Sequence, residues 1–109
     1  MLFDRVRRFK DESNRPPISG SSSVMRVPGV AAETIDEVTA VMSVEKGSYF
    51  LIEGTGNAIW NRLEGTVSVS ALCTDLAKEF AVDRTTCEID VVEFLSDLQV
   101  KGLVQVVDP

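Results

Sequence analysis

The chain has 109 residues and a formal net charge of −6, and it contains two cysteines, Cys73 and Cys87, but no histidine. This length favours one domain with a modest core. Without histidine the usual Ser–His and Cys–His catalytic pairs cannot form, and the chain has no phosphate-binding or zinc-binding motif. We therefore predict a non-enzymatic protein without cofactor or metal, in which both cysteines are buried free thiols.

The first 23 residues differ from the rest of the chain in charge and composition. Residues 1–32 hold six basic and three acidic groups, whereas residues 33–109 hold five basic and fourteen acidic groups. Residues 13–23 are rich in proline, glycine and serine, which is typical of a linker. We predict a flexible, dispensable tail over residues 1–23 and a folded domain over residues 24–109.

Within this tail, apolar residues recur at helical spacing among basic ones: Leu2, Phe3, Val6 and Phe9 lie between Arg5, Arg7, Arg8 and Lys10. Such a segment is typical of an amphipathic helix that docks on a partner or a membrane surface, but about ten residues rarely hold a helix alone in water. The alternative is a frayed terminus. No apolar run reaches the roughly 20 residues that span a bilayer, and no secretory signal is recognisable, so we predict a cytoplasmic protein without a membrane span.

The next segments have the composition of strands. Residues 30–35 and 38–44 contain β-forming side chains, and residues 49–52 are aromatic and branched. Between the last two segments, residues 45–48 have the sequence of a hairpin turn, with Gly47 available for a positive φ. This order predicts a two- or three-stranded antiparallel meander.

Three helices and a short strand complete the predicted elements. The helices are expected from Thr55 to Gly65, from Ser68 or Ser70 to Phe80, and from Asp83 to Gly102, with a strand over 103–107. Thr55 and Asp83 are the expected N-caps, because short polar side chains accept hydrogen bonds from the first free N–H groups.

The third helix has more than one apolar face. At about 100° per residue, one face is ordinary core and holds Cys87, Val91, Phe94, Leu95 and Leu98. Ile89, Val92 and Val100 lie on the opposite side beside Ser96, and the acidic rim consists of Asp90, Glu93 and Asp97. A second apolar stripe indicates a partner, although scattered surface hydrophobic residues are the alternative.

The strand before the helices points to the same region. As the last strand of the meander, it can have an unpaired edge that accepts an incoming peptide strand, unless the chain's own terminus covers that edge. A peptide between this edge and the third helix would contact both. The candidate peptide-binding residues are therefore Ser48, Tyr49, Phe50, Leu51, Ile52, Ile89, Asp90, Val92, Glu93, Ser96 and Asp97.

Three passages resemble the PqqD-like family when they are taken in order. Residues 47–52 and 56–60 are similar to its "G-x-Y-x-x-L-N…G-x-x-I-W" passage, and residues 69–80 to its second-helix pattern. Residues 90–104 are similar to its "D-V-x-x-F-L-x-x-L-x-x-x-G-L-(I/V)" ending. The resemblance covers roughly residues 30–107.

The resemblance implies an α+β fold like a winged helix-turn-helix, with a three-stranded antiparallel sheet packed on three helices. It also implies a function, capture of the leader of a ribosomally made precursor peptide and its presentation to a modifying enzyme. That enzyme would be a leader peptidase, a cyclase or a radical SAM enzyme, in lasso-peptide or related maturation. By position, the leader would add to residues 48–52 and lie against a helix over residues 87–101.

Three alternatives accompany this interpretation. A DNA-binding winged helix has the same architecture, but a recognition helix needs basic residues, and here Glu88, Asp90, Glu93 and Asp97 outnumber Lys101. We therefore expect no nucleic acid partner. An adaptor subunit without a leader peptide is the second alternative, and a homodimer formed through the open strand edge is the third.

Overall fold

The computed structural model describes residues 16–44 and 46–107, which form two antiparallel sheets and three helices. The elements in chain order are β1 Ser23–Arg26, β2 Ala31–Ile35, β3 Val38–Ser43, β4 Ser48–Glu53, α1 Thr55–Asn61, β5 Val67–Ser68, α2 Val69–Phe80, α3 Arg84–Val100 and β6 Val104–Val107. Within these residues, no helix has the length and apolar character that crossing a membrane requires.

The predicted meander is confirmed as a sheet in the order β2–β3–β4. Its second hairpin pairs Ser43 with Ser48, and Gly47 in the turn has a φ of 65°. One face of β3 is buried through Thr39, Val41 and Ser43, whereas all five residues of β2 are exposed. The meander therefore packs on the helices through β3 and β4.

The sequence did not predict the second sheet, in which β1 lies between β5 and β6. β1 pairs with β5 through Val24 and Val67 and with β6 through Arg26 and Val104. β5 has only two residues, and β1 begins inside a serine-rich stretch, so neither shows a strand pattern of its own. Only β6 was expected. The fold class, α+β with three helices, is as predicted.

The three helices begin in different ways. Ser68 accepts a hydrogen bond from the Ala71 N–H at the start of α2, and Asp83 accepts one from the Thr86 N–H at 3.0 Å at the start of α3. The prediction that Thr55 is the N-cap of α1 is wrong. Gly54 occupies that position at a φ of 61°, and no side chain caps the helix. This positive φ at the strand–helix corner favours glycine. α1 ends at Asn61, before Gly65.

The residues before β1, 16–22, pack on the domain, and we call them the N-terminal strap. Ile18 is 7% exposed and belongs to the core, and the Gln99 side-chain amide donates a hydrogen bond of 2.8 Å to the Pro16 carbonyl. The linker composition had suggested no such contacts, because one isoleucine among prolines and serines has no periodicity. The boundary at residue 23 stays a prediction, and the amphipathic pattern of residues 2–10 lies outside the described residues.

Both cysteines are buried free thiols, as expected. The Cys87 thiol donates a weak hydrogen bond to the Cys73 carbonyl, with 3.7 Å between sulfur and oxygen. Burial is the main cause that raises the pKa of Cys73, and the neighbouring Cys87 raises it further. The thiol therefore stays protonated in the folded protein at pH values where an unfolded chain begins to form thiolate.

We expect neither cysteine of the folded protein to react with a thiol reagent at mildly alkaline pH, and both to react fast in denaturant. Because the pKa of Cys73 is raised in the folded protein, the contribution of this thiol to the free energy of unfolding is fully present below the ordinary thiol pKa. That contribution is lost as the pH rises through the folded pKa. Colorimetric thiol titration with and without denaturant measures the rate at which the two cysteines react. Fast modification of the native protein would contradict the burial.

Candidate functional site

A cleft lies between β4 and α3, and we call it the strand cleft. Its volume is about 330 Å³. The residues that line it are Phe50, Leu51, Ile52, Glu53, Gly56, Phe94, Asp97, Leu98 and Lys101. One wall is therefore a strand, the other wall is a helix, and most of the lining is apolar.

The strand wall is an edge of the meander. Among the described residues, β4 pairs with β3 and with no second strand, so the backbone groups on its other side have no ladder partner there. Ile52 is buried and Phe50 is half-buried, whereas Tyr49 and Leu51 are 71% and 67% exposed. This alternation places two side chains towards the core and leaves two large apolar ones in solvent.

The helix wall depends on Phe94 and on the glycine opposite it. Phe94 is half-buried and packs against the core from the edge of the cleft. A Cβ at Gly56 would lie 2.9 Å from Cε1 of Phe94 and 3.1 Å from Cγ2 of Ile52. Glycine at the start of α1 therefore lets the Phe94 ring pack closely against this corner. The sequence had assigned Phe94 to the core, because it shares a helical face with Leu98.

An ion pair and a cation–π contact lie at the mouth of the strand cleft. Lys101 Nζ is 2.8 Å from both carboxylate oxygens of Asp97, and it lies 5.6 Å from the centroid of the Phe50 ring. Lys101 thereby bridges the helix wall and the strand wall. Lys101 was not a predicted site residue, although its (i, i+4) spacing from Asp97 is a signal that the sequence contains.

A second cleft lies beside α3, against the N-terminal strap, and we call it the strap cleft. Its volume is about 430 Å³, and its lining consists of Ile18, Ser19, Gly20, Glu88, Ile89, Val92 and Glu93. Ile89 is 62% exposed and Val92 is half-buried. The structure therefore divides the predicted helix residues, because Asp97 lines the strand cleft whereas Ile89, Val92 and Glu93 line the strap cleft.

The remaining predicted site residues are Ser48, Tyr49, Asp90 and Ser96, which line neither of these two clefts. Ser48 and Tyr49 lie at the start of the same open strand, and Asp90 and Ser96 lie on α3. Whether they contact a ligand stays a prediction. In the described part of the chain, no group of three His, Cys, Asp or Glu side chains has an arrangement that could hold a metal ion.

Comparison with known proteins connects this geometry to a family. Residues 39–104, more than half of the chain, match the family described as Coenzyme PQQ synthesis protein D (PqqD). A solved structure described as TbiB1 in complex with the TbiA(beta) leader peptide is similar, with a TM-score of 0.71 and 27% sequence identity. That likeness covers 78% of this chain and 99% of the other. No curated protein sequence matches significantly. With its meander, its three helices and this sequence match, the chain belongs to the PqqD family.

Proposed function

We propose that this protein binds the leader segment of a ribosomally made precursor peptide in the strand cleft and presents it to a modifying enzyme. The observation that supports this best is the open edge of β4 opposite the apolar wall of α3. Family membership agrees with it, and the similar structure described above is itself a complex with a leader peptide.

The leader would add to β4 as a fourth strand of the meander. Ladder hydrogen bonds to the free edge provide affinity that depends little on sequence, so discrimination must come from side-chain pockets. Alternate side chains of an added strand point to opposite sides. Those on the helix side would enter the space between Phe50 and Phe94, and those on the other side would lie near Leu51.

Charges at the rim would adjust specificity more than affinity. Asp97 and Lys101 already form an exposed pair, and Glu53 stands at the end of β4. A leader residue of either sign could exchange with one member of the pair. Exposed ion pairs contribute about 0–1 kcal/mol each, so the apolar contacts should dominate the affinity.

The second step is presentation to a modifying enzyme. The strand cleft, with a volume of about 330 Å³, would hold only part of a peptide, so the rest of a precursor would remain accessible to a peptidase, cyclase or radical SAM enzyme. Lasso-peptide or related maturation is the proposed setting.

A DNA-binding role has little support from α3. Arg84, the one basic residue within α3, pairs with Glu88, and Lys101 at the C-cap pairs with Asp97, while Asp90 and Glu93 add further negative charge. A helix with this balance repels phosphate.

Titration of the labelled protein with a leader peptide tests the proposal. The candidates are short open reading frames encoded beside this gene, and a scrambled leader is the control. We expect backbone amide shifts along β4 and on the Phe94–Lys101 side of α3, with slowed hydrogen exchange at the β4 edge. Shifts confined to other surfaces, or equal shifts with scrambled peptide or duplex DNA, would count against leader binding here.

A further inference from the structure

The strap cleft on α3 has the form of a docking site that the proposed leader-binding role does not use. It combines an apolar floor, Ile89 and Val92, with the carboxylate of Glu93 and with that of Glu88, one oxygen of which pairs with Arg84. Ile18 closes one side, and Gly20 lies against the Glu88 carboxylate. An occupant that fits this lining is apolar on one face and basic along its edges.

A segment of this chain has that chemistry. On a helix, Leu2, Val6 and Phe9 share one face, and Phe3 borders it. The basic side chains lie on both sides of this face, namely Arg5, Arg7, Arg8 and Lys10. Opposite charges therefore meet when the apolar face is placed on Ile89 and Val92.

Residues 11–15, which connect the amphipathic segment to the strap, are long enough for that segment to reach the strap cleft. Residue 15 precedes Pro16, whose carbonyl is held by Gln99, and the strap runs from there towards Glu88, antiparallel to α3. From Gln99 to Ile89 the helix rises about 15 Å. Five extended residues, 11–15, reach about 17 Å. Residues 2–10 can therefore lie along the same stretch of α3 without strain in the connection.

We propose that residues 2–10 dock in cis, as an amphipathic helix, in the strap cleft of α3. The docked segment covers the exposed Ile89 side chain and balances the acidic flank of the helix. Tertiary contact with Ile89 and Val92 supplies the stability that a segment of about ten residues lacks on its own. The strand cleft lies on another flank of α3, so docking leaves the β4 edge open, and the proposal does not depend on leader binding.

A spin label on the full-length chain tests this contact. Cys73 and Cys87 are buried, so a nitroxide reagent would label an Asp4→Cys variant at the new thiol alone. Asp4 lies on the polar side of the expected helix. We expect the label to remove most of the amide signal intensity of Ile89, Val92 and Glu93 and to leave the β4 signals largely intact.

Substitutions in the labelled protein separate the outcomes. Val6→Asp with Phe9→Asp should restore the lost signals, and Glu93→Lys should restore them in part. The matched control is Asp75→Lys, an equal charge change on the exposed face of α2, which should restore nothing. Signal loss confined to β4, or no loss at Ile89 and Val92, would overturn the proposal. If spin-labelled chain without isotope enrichment, mixed with enriched chain without the label, produces the same loss, the docking is between copies, which also overturns the proposal.

Discussion

Replacing Phe94 by alanine is expected to weaken binding of the leader about 30-fold, which corresponds to about 2 kcal/mol. The ring forms the helix wall of the strand cleft and packs against the corner at Gly56. Truncation removes the apolar surface that the leader side chains would contact, while the ladder along β4 is unchanged. Isothermal titration calorimetry with the leader measures the loss.

The control for this variant is Phe80→Ala, the same truncation at an exposed position at the end of α2. It should leave the affinity almost unchanged. Equal losses at Phe94 and Phe80 would show that the effect is not local to the cleft. Asp97→Ala should cost less than Phe94→Ala, because an exposed ion pair contributes about 0–1 kcal/mol.

The same measurement decides between the two clefts. The sequence predicted Ile89, Val92 and Asp97 together as peptide-binding residues. In the structure Ile89 and Val92 line the strap cleft. If Ile89→Ala or Val92→Ala weakens leader binding as much as Phe94→Ala, the leader also reaches the strap cleft, and the site must be extended to that flank.

Replacing Leu98 by alanine is expected to lower the free energy of unfolding by about 2–5 kcal/mol. Leu98 is 2% exposed, and it lies where α3 meets both the core and the strand cleft. The cavity left behind cannot collapse easily, because α3 is held in place by its packing against α2. A small domain has only about 5–15 kcal/mol in total, so the loss is a large fraction of its stability.

Urea unfolding followed by circular dichroism measures this change, with Val100→Ala as the control. Val100 lies two residues later on the same helix and is 42% exposed, so its truncation should cost less than about 1 kcal/mol. If Leu98→Ala were as mild as Val100→Ala, the packing of α3 on the core would be wrong.

Local sequence signals were sufficient for the helices and the meander. The sequence predicted a start at Ser68 or Ser70 for α2 and at Asp83 for α3, and in the structure the side chains of Ser68 and Asp83 cap the adjacent turns. The branched and aromatic composition of β3 and β4 predicted their hairpin, and Gly47 fixed the turn. At Thr55 the same reasoning failed, because the corner after β4 is made by the positive φ of Gly54 instead.

The sequence by itself determined that α3 has apolar residues on several sides and that β4 is the last strand before the helices, since both follow from the order of side chains. Only the tertiary structure decided what each side of α3 faces. Phe94 and Leu98 share a helical face, yet the Phe94 ring borders the strand cleft, because β4 ends the sheet there. Ile89 faces the strap because the buried Ile18 holds the strap beside α3. Residues 23–26 form β1 because they pair with β5 and β6. Contacts between residues far apart in the chain leave no periodic pattern in either partner, so no local reading of the sequence could have assigned them.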